Sequence, residues 1–158
     1  MYLTVHATTG IAIGQSIINP LGAFFIGLLS HYILDFIPHG DEKKFKNASV
    51  AFMAKAAIID HMFVFVMFLT LFLFKPNFTF TLNIIIAIIG ALLPDWLSAV
   101  YRLTERTNIS FFKLLHKITT PMQNLHQFCH YKIIKTEINF YLGTALQVVL
   151  LIGFWLMI

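Results

Sequence analysis

Residues 50–74 read VAFMAKAAIIDHMFVFVMFLTLFLF, and this stretch decides the fold class. Lys55, Asp60 and His61 are its ionisable side chains, and nearly all its other residues are apolar. A helix needs about 20 predominantly apolar residues to cross the hydrocarbon core of a bilayer, which is about 30 Å thick. The stretch therefore predicts a membrane-spanning helix that ends before Pro76.

Four further apolar segments lie on either side of this one. The first is short and polar for a membrane span, and its Gly10 and Gly14 form a GxxxG spacing, which lets another helix approach closely. We expect this segment to be buried inside a bundle, away from lipid. The sequence therefore predicts an all-α fold, a polytopic membrane helical bundle of about five transmembrane helices in a single domain of 158 residues. The predicted spans are about 3–18, 21–37, 50–74, 80–101 and 138–158.

The composition excludes a soluble globular protein. Charged residues make up 11% of the chain and hydrophobic residues 58%, with a mean hydropathy of +0.79. A soluble domain is about one quarter charged, because its surface faces water. The net charge of +4 is not gathered in a basic stripe with stacking aromatic residues, so no nucleic acid is expected as a partner. Membrane lipids are the expected partners, and a homo-oligomer is left open.

An amphipathic segment separates the fourth and fifth predicted spans. Its apolar residues at helical spacing are Ile109, Phe112, Leu115 and Ile118. Residues 120–123, TPMQ, form a capping box with proline at the first helical position, so a second short helix is expected to start there. We expect both amphipathic interfacial helices, at about 109–131, to lie in the plane of the membrane interface.

The distribution of cations predicts the orientation. With five spans, all of the 11 lysines and arginines except Lys75 fall on the face that holds the N-terminus. Cytoplasmic loops carry the excess of lysine and arginine in membrane proteins. The chain is therefore expected to be integral to the cell inner (cytoplasmic) membrane, with its N-terminus in the cytoplasm.

Histidines and aspartates at similar depth in separate spans indicate a metal site. An ionised carboxylate at the centre of a bilayer costs roughly 2.5–3.5 kcal/mol. Carboxylates that lie close together also resist ionising unless a cation sits between them. A mixed set of imidazole and carboxylate ligands suits a divalent metal, zinc first, with manganese or iron as alternatives. The candidate metal ligands are His6, His31, Asp35, Asp60, Asp95 and His126.

Other roles for these residues stay open from the sequence. His31 and Asp35 are four residues apart, so they could simply hydrogen-bond each other across one helical turn. Asp95 could be a helix cap or an interface residue. His61 points about 100° away from Asp60 on a helix, so both cannot readily serve one site.

Two phrases of the sequence resemble a known family. Residues 27–35, GLLSHYILD, and residues 90–95, GALLPD, together with an early His6, are similar to the inner-membrane metal-dependent hydrolases, the LexA-binding, inner membrane-associated hydrolase family. Members of this family look like small helical membrane proteins with a GxLLPD phrase, an SHxxxD phrase and scattered histidines. The resemblance implies a metal-ligand role for His6, His31, Asp35 and Asp95.

The expected function is that of a membrane-embedded metal-dependent hydrolase acting at the cytoplasmic headgroup level, on a phospholipid or a lipid-linked phosphate. Asp60 and Asp95 are the candidate catalytic residues: one completes the metal site and the other acts as general base or orients a ligand imidazole. Two alternatives stay open. One is a transporter of a divalent cation or proton, because acids and histidines inside the membrane also mark ion pathways. The other is a non-catalytic membrane adaptor.

Overall fold

The computed structural model describes residues 1–40, 48–105, 107–129 and 138–158. Every regular element in these residues is a helix, which confirms the predicted all-α fold class. Six of the ten lysines and arginines used to predict the orientation lie outside the described residues: Lys43, Lys44, Lys46, Arg106, Lys132 and Lys135. The six helices of the described part are α1 Leu3–Ser16, α2 Pro20–Asp35, α3 Val50–Phe74, α4 Leu82–Thr104, α5 Ser110–Phe128 and α6 Phe140–Met157.

Three of the described helices are long and apolar enough to cross a membrane, where the sequence predicts about five. They are α3 with 25 residues, α4 with 23 and α6 with 18. The helices α1 and α2 have only 14 and 16 residues. At 1.5 Å per residue they are about 21 and 24 Å long, shorter than a hydrocarbon layer of about 30 Å. The Asn19 side chain caps α2, whose first residue is Pro20, so α1 and α2 are two separate helices.

The helix α1 is buried in the bundle, as its polar sequence predicts, since ten of its residues are buried. Its two glycines lie against the backbone of α4. A Cβ added at Gly10 would lie 2.8 Å from the Cα of Ile88, and one added at Gly14 would collide with the Cα of Ile84. The GxxxG spacing thus places α1 in direct backbone contact with α4.

The helix α2 packs on α4 in the same way. A Cβ added at Gly27 would collide with the carbonyl oxygen of Ala87, and one added at Gly90 would collide with the carbonyl oxygen of Phe24. Small residues at such crossings let two helix backbones touch. The helices α1, α2 and α4 therefore form one closely packed unit, and side chains on their facing surfaces have well-defined relative positions.

The apolar core lies between α1, α3 and α4. Its buried residues recur every three or four positions along each helix, as expected for one helical face. They are Leu3, Ala7 and Ile11 from α1, Val64, Met67 and Leu71 from α3, and Ile84, Ile88 and Leu92 from α4. The His6 side chain lies on a different face of α1, where its ring stacks on that of His31 from α2.

The outward surfaces of α3 and α6 are apolar. Phe65 and Phe72 of α3 are 68% and 78% exposed, and Leu156 of α6 is 76% exposed. Exposed apolar surface of this extent is uncommon on a soluble monomer. These surfaces are those of a membrane protein, whose outer face contacts lipid.

The helix α5 is a single element, so the separate second helix predicted to begin at Thr120 is not present. Pro121 lies inside the helix and removes one intrahelical hydrogen bond. In the turn before it, the hydroxyl of Thr120 donates to the carbonyl oxygen of His116 at 2.7 Å. The capping-box pattern at residues 120–123 therefore does not mark the start of a helix. The last two positions of the predicted interfacial region, 130 and 131, lie outside the described residues.

Candidate metal centre

Four helices bring five of the six predicted ligands together. The histidines come from α1, α2 and α5, and the aspartates come from α2 and α4. His6, His31 and Asp35 are fully buried, and His126 is 9% exposed. The side chain of Asp95 is 26% exposed, which makes it the most accessible member of the cluster. The members are His6, His31, Asp35, Asp95 and His126.

The carboxylate of Asp35 lies at the centre of the cluster. Its Oδ2 is 3.0 Å from Nε2 of His31 and 3.1 Å from Nε2 of His126. Its Oδ1 is 3.3 Å from Nε2 of His6 and 3.2 Å from the α-amino group of Met1. Three imidazoles from three helices therefore converge on one buried carboxylate.

The carboxylate of Asp95 approaches the same two imidazoles from α4. Its Oδ1 is 3.6 Å from Nε2 of His126 and 3.9 Å from Nε2 of His31, and these two nitrogens are 3.5 Å apart. Neighbouring ligand atoms around a tetrahedral zinc with bonds of 2.0–2.1 Å lie about 3.3 Å apart. The separations in the cluster are of this size, so the buried His and Asp groups can hold a metal ion.

Hydrogen bonds outside the cluster orient the imidazoles. Nδ1 of His31 lies 2.7 Å from the carbonyl oxygen of Ala91, so Nδ1 must donate its proton there. Nε2 of a neutral His31 then directs a lone pair at the carboxylate of Asp35, which is repulsive unless a proton or a cation lies between them. Nδ1 of His126 is similarly held 2.7 Å from the hydroxyl of Ser98. Such outer partners are typical of metal-binding histidines.

His6 has unsatisfied hydrogen-bonding capacity. Neither of its ring nitrogens has a hydrogen-bond partner among the described residues, although the ring is completely buried. Its contact with Asp35 has the distance of an ion pair without the geometry of a hydrogen bond. Buried polar atoms of native proteins are nearly always paired. A cation among the ligand atoms would pair one of the two His6 nitrogens, and His6, His31 and Asp95 form one set of ligand atoms within 4.8 Å of one another.

Asp60 does not lie with the other five candidates. Its Oδ2 accepts a hydrogen bond from the backbone N–H of Leu3 at 2.7 Å, and its Oδ1 accepts one from the hydroxyl of Thr4 at 3.1 Å. Asp60 thus caps the first turn of α1 from the neighbouring helix α3. Its neighbour His61 accepts a hydrogen bond from the indole N–H of Trp96 at 3.2 Å.

Three groups near the cluster have no role in the predictions from sequence. Ser98 lies three residues after Asp95, on the same helical face, and this spacing could have indicated it. The carbonyl oxygen of Ala91 has no sequence signal, because every residue carries one. His39 is buried beyond the end of α2, with Nε2 at 2.8 Å from the amino group of Met1.

A cavity of about 990 Å³ adjoins the cluster. Asp95 and His126 line its polar end, so the cluster is accessible from the cavity through these two side chains. Beyond the polar end the cavity extends between α3 and α6, where its walls are largely apolar. The apolar lining residues include Phe63, Val66, Leu151, Ile152 and Trp155.

Comparison of the chain with family models, with curated proteins and with solved structures found no match. The resemblance to the inner-membrane hydrolases therefore stays a prediction from the sequence.

Proposed function

We propose that this protein is a membrane-embedded metal-dependent hydrolase that acts on a phospholipid or a lipid-linked phosphate. The observation that carries the proposal is the convergence of three buried imidazoles on the Asp35 carboxylate, beside a cavity that Asp95 and His126 line. The proposal also places the chain in the inner membrane with the cluster next to the cytoplasmic headgroups.

Zinc is the metal that this ligand set favours. Imidazole nitrogen and carboxylate oxygen are both common zinc ligands, and the separations of the ligand atoms match a small tetrahedral shell. His31, Asp35 and His126 form the set with the shortest mutual distances, and His6 and Asp95 complete the surroundings. A divalent cation held there would supply Lewis-acid activation of water, whose pKa falls towards about 7.

The protein groups divide the remaining work. The carbonyl of Ala91 and the hydroxyl of Ser98 hold His31 and His126 in the orientation that binding requires. Of the two carboxylates in the cluster, Asp95 is the one that lines the cavity, so we assign it the role of the general base that takes a proton from the attacking water. Asp60 is assigned no part in the reaction, because both of its oxygens bind the first turn of α1.

Metal content tests the proposal. The full chain, purified in mild detergent without chelator, is expected to contain about one zinc per molecule by elemental analysis, and His31→Ala and His126→Ala are expected to contain almost none. His61→Ala is the matched control and should keep its metal, because His61 bonds to Trp96 instead of the cluster. Wild-type metal content in both cluster variants would refute the site.

Hydrolysis is tested with the same preparations. The metal-loaded protein is expected to release phosphate from lipid phosphates presented in mixed micelles, and chelation is expected to abolish the release until zinc is restored. Transport is the alternative outcome. Zinc uptake by proteoliposomes without any hydrolysis would indicate that the protein is a zinc carrier and not an enzyme.

A further inference from the structure

Two polar side chains at the cavity have groups without a partner in the part of the chain that the structure describes. Gln123 is 5% exposed, and its Oε1 accepts no hydrogen bond from any described residue. Arg102, at the end of α4, is partly buried and makes no hydrogen bond or ion pair within the described part of the chain. Both side chains line the cavity together with Asp95 and His126. The cavity lining therefore combines Asp95 and His126 of the candidate metal centre with a guanidinium and a buried acceptor that have no partner among the described residues.

The rest of the cavity has the shape and character of a slot for a hydrocarbon chain. Its lining extends along α3 from Val50 to Thr70 and along α6 from Thr144 to Trp155. At 1.5 Å per residue these stretches are about 30 and 16 Å long. The residues that α3 and α6 contribute between these limits are mostly apolar. The cavity thus has a polar end at Asp95 and His126 and a mostly apolar wall along α3 and α6, interrupted by Asp60, His61 and Gln147.

We infer that the cavity binds a lipid phosphate, with its alkyl chain between α3 and α6 and its phosphate at Arg102. This inference rests on the proposed function and assigns the residues of the same site that bind the two parts of its substrate. A guanidinium binds a phosphate through two parallel charge-assisted hydrogen bonds. The carbonyl oxygen of Gln123 accepts a hydrogen bond from a hydroxyl group of the ligand, which satisfies the buried acceptor.

A soluble phosphate compound fits the cavity less well than a lipid phosphate. It would use Arg102 and Gln123 but leave the apolar slot without a ligand. A neutral lipid would fill the slot but leave the guanidinium unpaired. Only a molecule with both parts matches both ends of the cavity, because binding pockets combine apolar walls with a few well-placed polar groups.

Binding experiments on the full chain in amphipol, after chelation of any metal, measure the contributions of the phosphate and of the alkyl chain separately. The probes are dodecyl phosphate, dodecanol and inorganic phosphate, measured by isothermal titration calorimetry. Dodecyl phosphate is expected to bind at least about tenfold more tightly than dodecanol, because hydrogen bonds to charged groups are strong. Inorganic phosphate is expected not to bind measurably.

Variants test each end of the cavity. Arg102→Gln is expected to remove the preference for dodecyl phosphate over dodecanol, and Arg102→Lys to retain most of it. Lys113→Gln on α5 removes the same charge away from the cavity lining and should change nothing. Val148→Trp, which fills the slot, is expected to weaken both alkyl probes, and the adjacent Val149→Trp, which is outside the lining, is expected to weaken neither.

Equal affinity for dodecyl phosphate and dodecanol would overturn the inference, and so would equal losses in Val148→Trp and Val149→Trp. If the inference holds, two further probes identify the source of the phosphate. Tighter binding of lysophosphatidic acid indicates a phospholipid, and tighter binding of farnesyl phosphate indicates a lipid-linked phosphate. Failure of the two proposals is distinguishable. Binding without hydrolysis by the zinc-loaded protein keeps the lipid slot and refutes the enzyme, whereas hydrolysis that Val148→Trp and Arg102→Gln leave unchanged refutes the slot alone.

Discussion

The pair His31 and Asp35 on α2 and the pair Asp60 and His61 on α3 contain the same two residue types within apolar helices, but they have different surroundings. The first pair faces two other imidazoles, His6 from α1 and His126 from α5. The second pair is divided: Asp60 caps α1, and His61 bonds to Trp96 at the cavity.

Spacing explains the difference between the two pairs. Residues four positions apart lie on one helical face, so His31 and Asp35 can serve the same site. Adjacent residues diverge by about 100°, so Asp60 and His61 must find separate partners. An acid and a histidine inside an apolar helix therefore indicate a shared site only when their spacing places them on one face.

The sharpest test of this comparison removes one carboxylate from each pair. Asp35→Ala is expected to weaken zinc binding at least about a hundredfold, because even loss of an outer partner of a metal ligand costs 10–100-fold. Asp60→Ala is expected to leave the affinity nearly unchanged, since Asp60 contacts Leu3 and Thr4 instead of the cluster. A competition titration with a chelating dye measures both. Equal weakening would show that the two carboxylates share a site.

A second test measures what Asp60 does instead. Asp60→Ala leaves the backbone N–H of Leu3 without its partner and removes the bond to Thr4. We expect the free energy of unfolding to fall by about 1–3 kcal/mol. Thr4→Val removes only the weaker of the two bonds and should cost less. Unfolding in mixed micelles of increasing SDS fraction gives these values, and an unchanged stability in Asp60→Ala would contradict the capping role.

The smallest expected effect concerns the orientation of His126. Ser98→Ala removes the hydroxyl that holds Nδ1 of His126, and we expect zinc binding to weaken about tenfold. Ser30→Ala is the control, because the Ser30 hydroxyl donates to the carbonyl oxygen of Gly27 within its own helix. Competition with a chelator measures the zinc affinity of both variants. Equal affinities would mean that Ser98 does not orient the ligand.

The helices could be predicted from the sequence more fully than the site. Length and hydropathy place α3 at residues 50–74, because an apolar run bounded by proline has few alternatives. The capping box at Thr120 was misleading: α5 continues through it and packs along α4, where His116 and His126 contact Tyr101 and Ser98. Tertiary packing overrides a local pattern in this segment.

Five of the six candidate ligands were predicted from residue types and spacing, but the facing of each helix was not. The sequence places Asp60 inside an apolar helix, whereas the direction of its side chain depends on how α3 is rotated against α1. His126 joins the cluster only because α5 folds back on α4. The carbonyl of Ala91 and the amino group of Met1 are backbone groups that no residue pattern distinguishes.

The glycine contacts of α1 and α2 with α4 have a consequence for the order in which the protein assembles. The helices α3, α4 and α6 are long enough to insert independently, whereas α1 is too short and polar to be stable alone in lipid. We therefore expect α1 and α2 to join an already inserted α4, through Gly10, Gly14 and Gly27. The five metal-binding candidates would then meet only at that last step. A bound ion would therefore stabilise the fully assembled bundle and not its earlier intermediates.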